Sequence, residues 1–181
     1  IKEEKPANMP QQTPIASLGS LASIHSGFPF RGKVEQDVAG DMRVLQIKDL
    51  RQVASLKAED LTLIQSPPEH LTRPLAIGDV VLPALGEHNQ AILFQLNTPT
   101  ITNNHLLTLR VSSDKILPTY LCWALNQPAA QHALRSEARG SNMPRLTRRS
   151  LAELKIPLPP LTTQRKIIEL QQLWEQEQQL T

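Results

Sequence analysis

The spacing of apolar and polar positions changes along this chain, and the change divides it. Residues 15–24 form an apolar, β-compatible run. Residues 42–47 and 61–64 read as further short strands, and Pro67-Pro68 breaks the pattern behind the second. The turn Leu75-Ala76-Ile77-Gly78-Asp79 opens a strand over 80–85; a polar loop at 86–90 and an apolar return over 91–96 complete a predicted hairpin. Residues 105–111 predict one more strand, with Leu107 and Leu109 alternating against polar neighbours.

From Pro118 the period becomes helical. Proline suits a first helical turn, and Leu121, Cys122 and Leu125 follow on one face. Asn126 and Pro128 interrupt, and a second helix is predicted over 129–138, with Gly140 as its stop. Residues 141–147 read as a loop and 150–154 as a short helix; Pro157, Pro159 and Pro160 then force an extended passage. The remainder is helical, with Thr162 or Thr163 as the expected cap and Ile167, Leu170 and Trp174 as a stripe at spacings of three and four. The expected class is α+β: strands in the first two thirds, helices in the last third, and a coiled-coil-type helix at the C-terminus. The expected divisions are a polar N-terminal arm at 1–14, a folded domain at 15–160 and the helix at 161–181.

Composition sharpens this. The 181 residues are 40% hydrophobic but only 3% aromatic. The core is therefore aliphatic, and a reader of single strands, which needs stacking platforms, is disfavoured. The net charge is only +2, yet residues 135–166 hold eight basic residues against two acidic ones. The rest of the chain holds eleven against fifteen. A segregated positive segment is the footprint of a polyanion-binding face, although a solvated cationic surface has the same composition. The single cysteine, Cys122, leaves no internal disulfide and points to a reducing cytoplasm. No apolar run approaches the length of a membrane span. A start at Ile1 rather than Met is the pattern of a fragment or a processed product.

Candidate chemistry is sparse. There is no phosphate-cradling glycine loop. The nearest approach to an adenine methyltransferase motif, Ser66-Pro67-Pro68-Glu69, lacks both its amide or acid and its aromatic ring. The five histidines are dispersed without metal-ligand spacing, and Cys122 sits among apolar neighbours, where packing is expected rather than nucleophilic use. No catalytic residue, metal or cofactor is expected.

Six segments, in order, resemble the specificity subunits of type I restriction-modification systems. Gly27-Phe28-Pro29-Phe30-Arg31 is similar to their early glycine-aromatic-basic turn, residues 44–50 to a strand ending in Ile-x-Asp-Leu, and residues 75–81 to their Gly-Asp turn and strand. Residues 120–126 (Tyr-Leu-Cys-Trp-Ala-Leu-Asn) resemble a helix of that family; Gly140-Ser141 with Leu146, Leu151 and Leu154 resemble its basic loop and short helix. Ile156-Pro157-Leu158-Pro159-Pro160-Leu161-Thr162-Thr163-Gln164-Arg165-Lys166-Ile167 resembles its most specific signature, except that Thr163 stands where glutamate is usual. Family members usually carry two recognition domains and two long spacer helices, so one domain and a short helix fit a half subunit, a fragment or a standalone relative.

The resemblance implies a non-catalytic domain that reads one half of a split double-stranded DNA target. It would position a methyltransferase (modification) subunit and, with it, a restriction subunit. Phosphate contacts would come from Arg139, Gly140, Ser141, Arg145, Arg148 and Arg149. Base edges would be read by Arg31 and Lys33 at guanine, and by Asn142, Asn89 or Gln90 at adenine. Phe28 and Phe30 are open to base contact or to packing. Ile167, Leu170 and Trp174 would form the partner-helix edge, and a two-fold homodimer through it would read a spaced palindrome. Three other readings stay open. One is a protein-interaction module using the basic face and the terminal helix. Another is a recognition domain cut from a fused restriction-methyltransferase. The weakest is a hydrolase or nuclease with an unfamiliar site.

Overall fold

The computed structural model describes residues 12–86, 88–138 and 144–181, and the side chains of 52–55 lie outside that description. Among the described residues, nine strands form three antiparallel or mixed sheets. A central sheet has the order β2(Ala22–Ser26)-β8(Leu106–Val111)-β5(Val80–Pro83)-β6(Ile92–Leu93). A second joins β4(Thr62–Ile64), β3(Met42–Leu45) and β7(Thr100–Thr102), with β3 and β7 parallel. A third pairs β1(Ile15–Ser17) with β9(Lys155–Pro157), which brings the two ends of the domain together. Five α-helices among the described residues complete the fold: α1(Leu18–Leu21), α2(Pro118–Leu125), α3(Pro128–Ala138), α4(Arg148–Glu153) and α5(Leu161–Leu180). The class is α+β with a C-terminal helix, as the pattern predicts.

The strand period of two explains the layering. Leu107 and Leu109 of β8 and Val80 and Leu82 of β5 point to the large aliphatic core beneath α1 to α4. Leu106 and Val81 point the other way, joining Leu45, Ile92 and Phe94 between the sheets. Phe28 and Phe30 stack edge-on at 4.8 Å and pack, half-buried, on Met42, Val44, Ile64 and Ile101, so they cap a third core.

Four expectations are corrected. The run 15–24 is not one strand: α1 divides it, burying Leu18 and Leu21 under the sheet. The strand from Met42 ends at Leu45 rather than Ile47, because the Asp49 carboxylate accepts from Gln46 N (2.8 Å) and turns the chain into a 3-10 helix. The short helix begins at Arg148, two residues early, because Thr147 and Ser150 form a reciprocal capping box. Neither Thr162 nor Thr163 caps α5, which starts straight from Pro160.

Side-chain amides fix that last helix and its neighbour. Gln164 is fully buried; its Oε1 accepts from Leu117 N (2.9 Å), and its Nε2 donates to Lys115 O (2.8 Å) and Pro159 O (2.9 Å). Asn126 ends α2 and clamps Ala91 from both sides, accepting from its N–H (2.7 Å) and donating to its carbonyl (2.8 Å). The Tyr120 hydroxyl donates to Pro157 O (2.7 Å), tying α2 to β9. Past Gln171 every residue of α5 is exposed. Among the described residues no helix is long and apolar enough to cross a membrane.

Candidate nucleic-acid interface

Strand β2 is the edge of the central sheet, and basic groups collect along it. Arg148 and Arg149 stand in the first turn of α4, beside Ser23 and Ile24 of β2. Arg149 leans on Glu153 at 3.7 Å, an exposed pair with little hold on it. Arg148 has the freer charge. On the same edge, His25 of β2 turns its ring toward the segment 70–75 and meets Arg73, whose guanidinium lies 3.3 Å from Nδ1.

His25 and Arg73 line a cavity of about 260 Å³ with His70, Thr102, Thr108 and Arg110. Asp79 also lines it, but Arg110 grips that carboxylate with two bonds (2.9 and 2.7 Å) and Ala76 N donates a third (2.8 Å). The buried acid is therefore spent on holding the Gly78-Asp79 turn, where Gly78 has a φ of 95°. Desolvation, followed by Arg73, Arg110 and Arg148, holds the His25 pKa below the ordinary imidazole value, against a weaker opposing pull from Asp79.

The other expected contacts are placed as follows. Arg31 and Lys33 are exposed in the loop that leaves β2. That loop starts at Gly27, where a Cβ would collide with the Asn103 carbonyl; only glycine lets Phe28 bridge to Asn103. Arg145 sits at the root of the same loop, donating to Asn104 O (3.2 Å), while Asn104 N donates to Phe28 O (3.0 Å). Arg139, Gly140, Ser141 and Asn142 lie outside the described residues. Gln90 is exposed, but Asn89 is buried and donates to Pro83 O (2.9 Å), so it is withdrawn from any base edge. His25, His70 and Arg73 escaped the sequence reading because the groups are 45 to 48 positions apart and only the sheet edge unites them.

Cys122 is half-buried, and burial pushes its thiol up to about 12, so it stays protonated. The partner-helix stripe divides. Ile167 packs on the domain's own core, whereas Leu170 is 67% exposed and Trp174 57%, with Leu173 at 58% beside them.

Three solved structures share this fold. One is the HsdS subunit from Thermoanaerobacter tengcongensis, 19% identical with a TM-score of 0.66, covering 97% of this chain and 40% of that one. A structure described as showing complex assembly and conformational transition of the type I R-M system is 21% identical with a TM-score of 0.71, covering 96% and 41%. The type I restriction-modification S subunit from M. genitalium is 15% identical with a TM-score of 0.61, covering 92% and 40%. The chain thus spans about two fifths of each of these relatives. No curated protein sequence matches it. At the level of sequence, the family model described as the type I restriction modification DNA specificity domain matches residues 14–180, and the chain belongs to that family.

Proposed function

We propose that this chain reads part of a double-stranded DNA target through the β2 edge and its flanking loops. In this reading it performs no chemistry of its own and positions a partner methyltransferase subunit, with a restriction subunit beyond it, in the cytoplasm. The recognition unit runs over residues 15–160, and α5 is its arm. The observation that carries the reading is the basic edge. Arg148, Arg149 and Arg73 line β2, while Arg31 and Lys33 extend from its end, and the one buried carboxylate nearby is already paired. Such a row supplies the sequence-independent phosphate contacts that orient a reader, and the adjoining exposed loops supply side chains for base edges.

The distal half of α5 serves the second role. Leu170, Leu173 and Trp174 are exposed on successive turns, at a spacing that matches a partner helix. In the full assembly that partner is a spacer helix, from a second recognition unit or a second copy of this chain.

The test is a titration of labelled duplexes at several salt concentrations, comparing wild type with the variant carrying Arg145→Ala, Arg148→Ala and Arg149→Ala. The expected result is weaker binding to every sequence, with the salt slope reduced by up to about three. Unchanged affinity and slope would remove these arginines from the interface.

A further inference from the structure

The turn between β7 and β8 is held at every backbone polar group. Asn103 N donates to Leu45 O (3.4 Å), and Asn103 O accepts from Leu106 N (3.2 Å). Asn104 N donates to Phe28 O (3.0 Å), and Asn104 O accepts from the Arg145 guanidinium (3.2 Å). His105 N donates to the Asn103 side-chain carbonyl (3.2 Å), and His105 O accepts from Ala84 N (2.8 Å). The end of β3, the Gly27-Phe28 loop, the end of β5 and the segment at Arg145 thus converge on three residues. Gly27 lets its loop close in, since any side chain there would strike the Asn103 carbonyl. An irregular segment with all its backbone donors and acceptors paired is held in one conformation. Its side chains divide. Asn103 is buried and braces the turn from within. His105 is exposed and Asn104 half-exposed with its amide open to solvent, and among the described residues neither side chain is spent on a hydrogen bond.

We propose that Asn104 and His105 read base edges of the duplex, Asn104 at an adenine and His105 at the adjoining base pair. This rests on the DNA-reading function proposed above and names two residues that supply its specificity. A base reader needs donors and acceptors that are unspent within the protein and fixed by rigid backbone, with cations close by to grip phosphates. The turn meets both needs. Arg145 touches Asn104, and the loop bonded to Asn104 through Phe28 runs on to the exposed Arg31 and Lys33. Arg145 spends one of its five N–H donors on Asn104 O and keeps its charge for a phosphate. The asparagine amide presents a donor and an acceptor that match adenine N7 and N6 in the major groove. The His105 imidazole offers ring nitrogens to the neighbouring pair. None of the bonds that hold the turn uses either side chain, so truncating them leaves the fold and the phosphate contacts in place.

The experiment is selective enrichment of random duplexes by wild type, Asn104→Ala, Asn104→Asp and His105→Ala, followed by salt titrations of each on the wild-type motif and on an unrelated duplex. Asn104→Ala loses the preference at one base pair and binds the motif about 5- to 150-fold more weakly, while its salt slope and its binding to the unrelated duplex stay as in wild type. Asn104→Asp, left with acceptors only, turns that position from adenine towards cytosine. His105→Ala relaxes the adjoining position alone. Variants that enrich the wild-type motif unchanged overturn the assignment while the DNA-reading function stands. Alanine variants that bind every duplex more weakly with the motif intact mark a backbone contact, and they overturn it too. A wild-type chain that enriches no motif overturns the DNA-reading function, and this assignment with it.

Discussion

Replacing Gln164 should loosen the joint between the domain and its helical arm. The side chain is fully buried and makes three hydrogen bonds, to Leu117 N, Lys115 O and Pro159 O. Gln164→Leu keeps much of the volume but strands all three backbone groups. At about 1 kcal/mol for each of the two part-buried bonds and about 2 for the buried one, the loss is about 4 kcal/mol. For a domain of this size that corresponds to a melting-point drop of roughly 8–16 °C. Gln164→Glu should cost at least as much: the carboxylate can still accept from Leu117 N, but it faces two carbonyl oxygens and brings a buried charge. Urea unfolding followed by tryptophan fluorescence in a Trp174→Phe background reports Trp123 alone. A shift of that transition to lower urea shows that the first turns of α5 unfold together with α2. A change under about 0.5 kcal/mol for both variants would refute the idea that this amide holds the arm.

Two further outcomes follow from exposure and burial. Leu173→Ala with Trp174→Ala should weaken any helix-mediated dimer by about 10,000-fold or more, since the two protomers together lose four apolar side chains worth about 1.5–3 kcal/mol apiece. Sedimentation velocity measures it; an unchanged association constant would remove this stripe from the interface. Cys122, protonated up to a pKa of about 12, should react with iodoacetamide at pH 8 about a thousandfold more slowly than a free thiol. Mass spectrometry of the native protein checks this, and labelling at the rate of a free thiol would contradict the buried setting.

What was legible in the sequence was architecture. Gly27, Gly78-Asp79, Tyr120, Asn126 and Gln164 all fall in the motifs that carried the resemblance, and each holds backbone to backbone: a close approach, a turn, a tie, a clamp and an anchor. Such roles tolerate few residue types, so they leave motifs. The elements missed were those set by tertiary context. Helix α1 lies inside an apolar run, and β7, at three residues, is too short to announce itself. The site was half visible. The basic segment drew attention to Arg148 and Arg149, but His70 and Arg73 lie in a stretch of mixed charge, His25 lies in the uncharged strand β2, and only the fold brings the segment 70–75 to that edge. Asn89 was misjudged for the same reason: a polar residue in a predicted loop reads as exposed, and here the loop folds it inward onto Pro83.

Selective enrichment of random duplexes by the purified chain, at low and at physiological salt, decides whether this chain reads DNA sequence. The DNA-reading function predicts a motif of about three to five base pairs that persists as salt rises, on top of binding that weakens with salt. Enrichment of no sequence, or no duplex binding even at low salt, would contradict it.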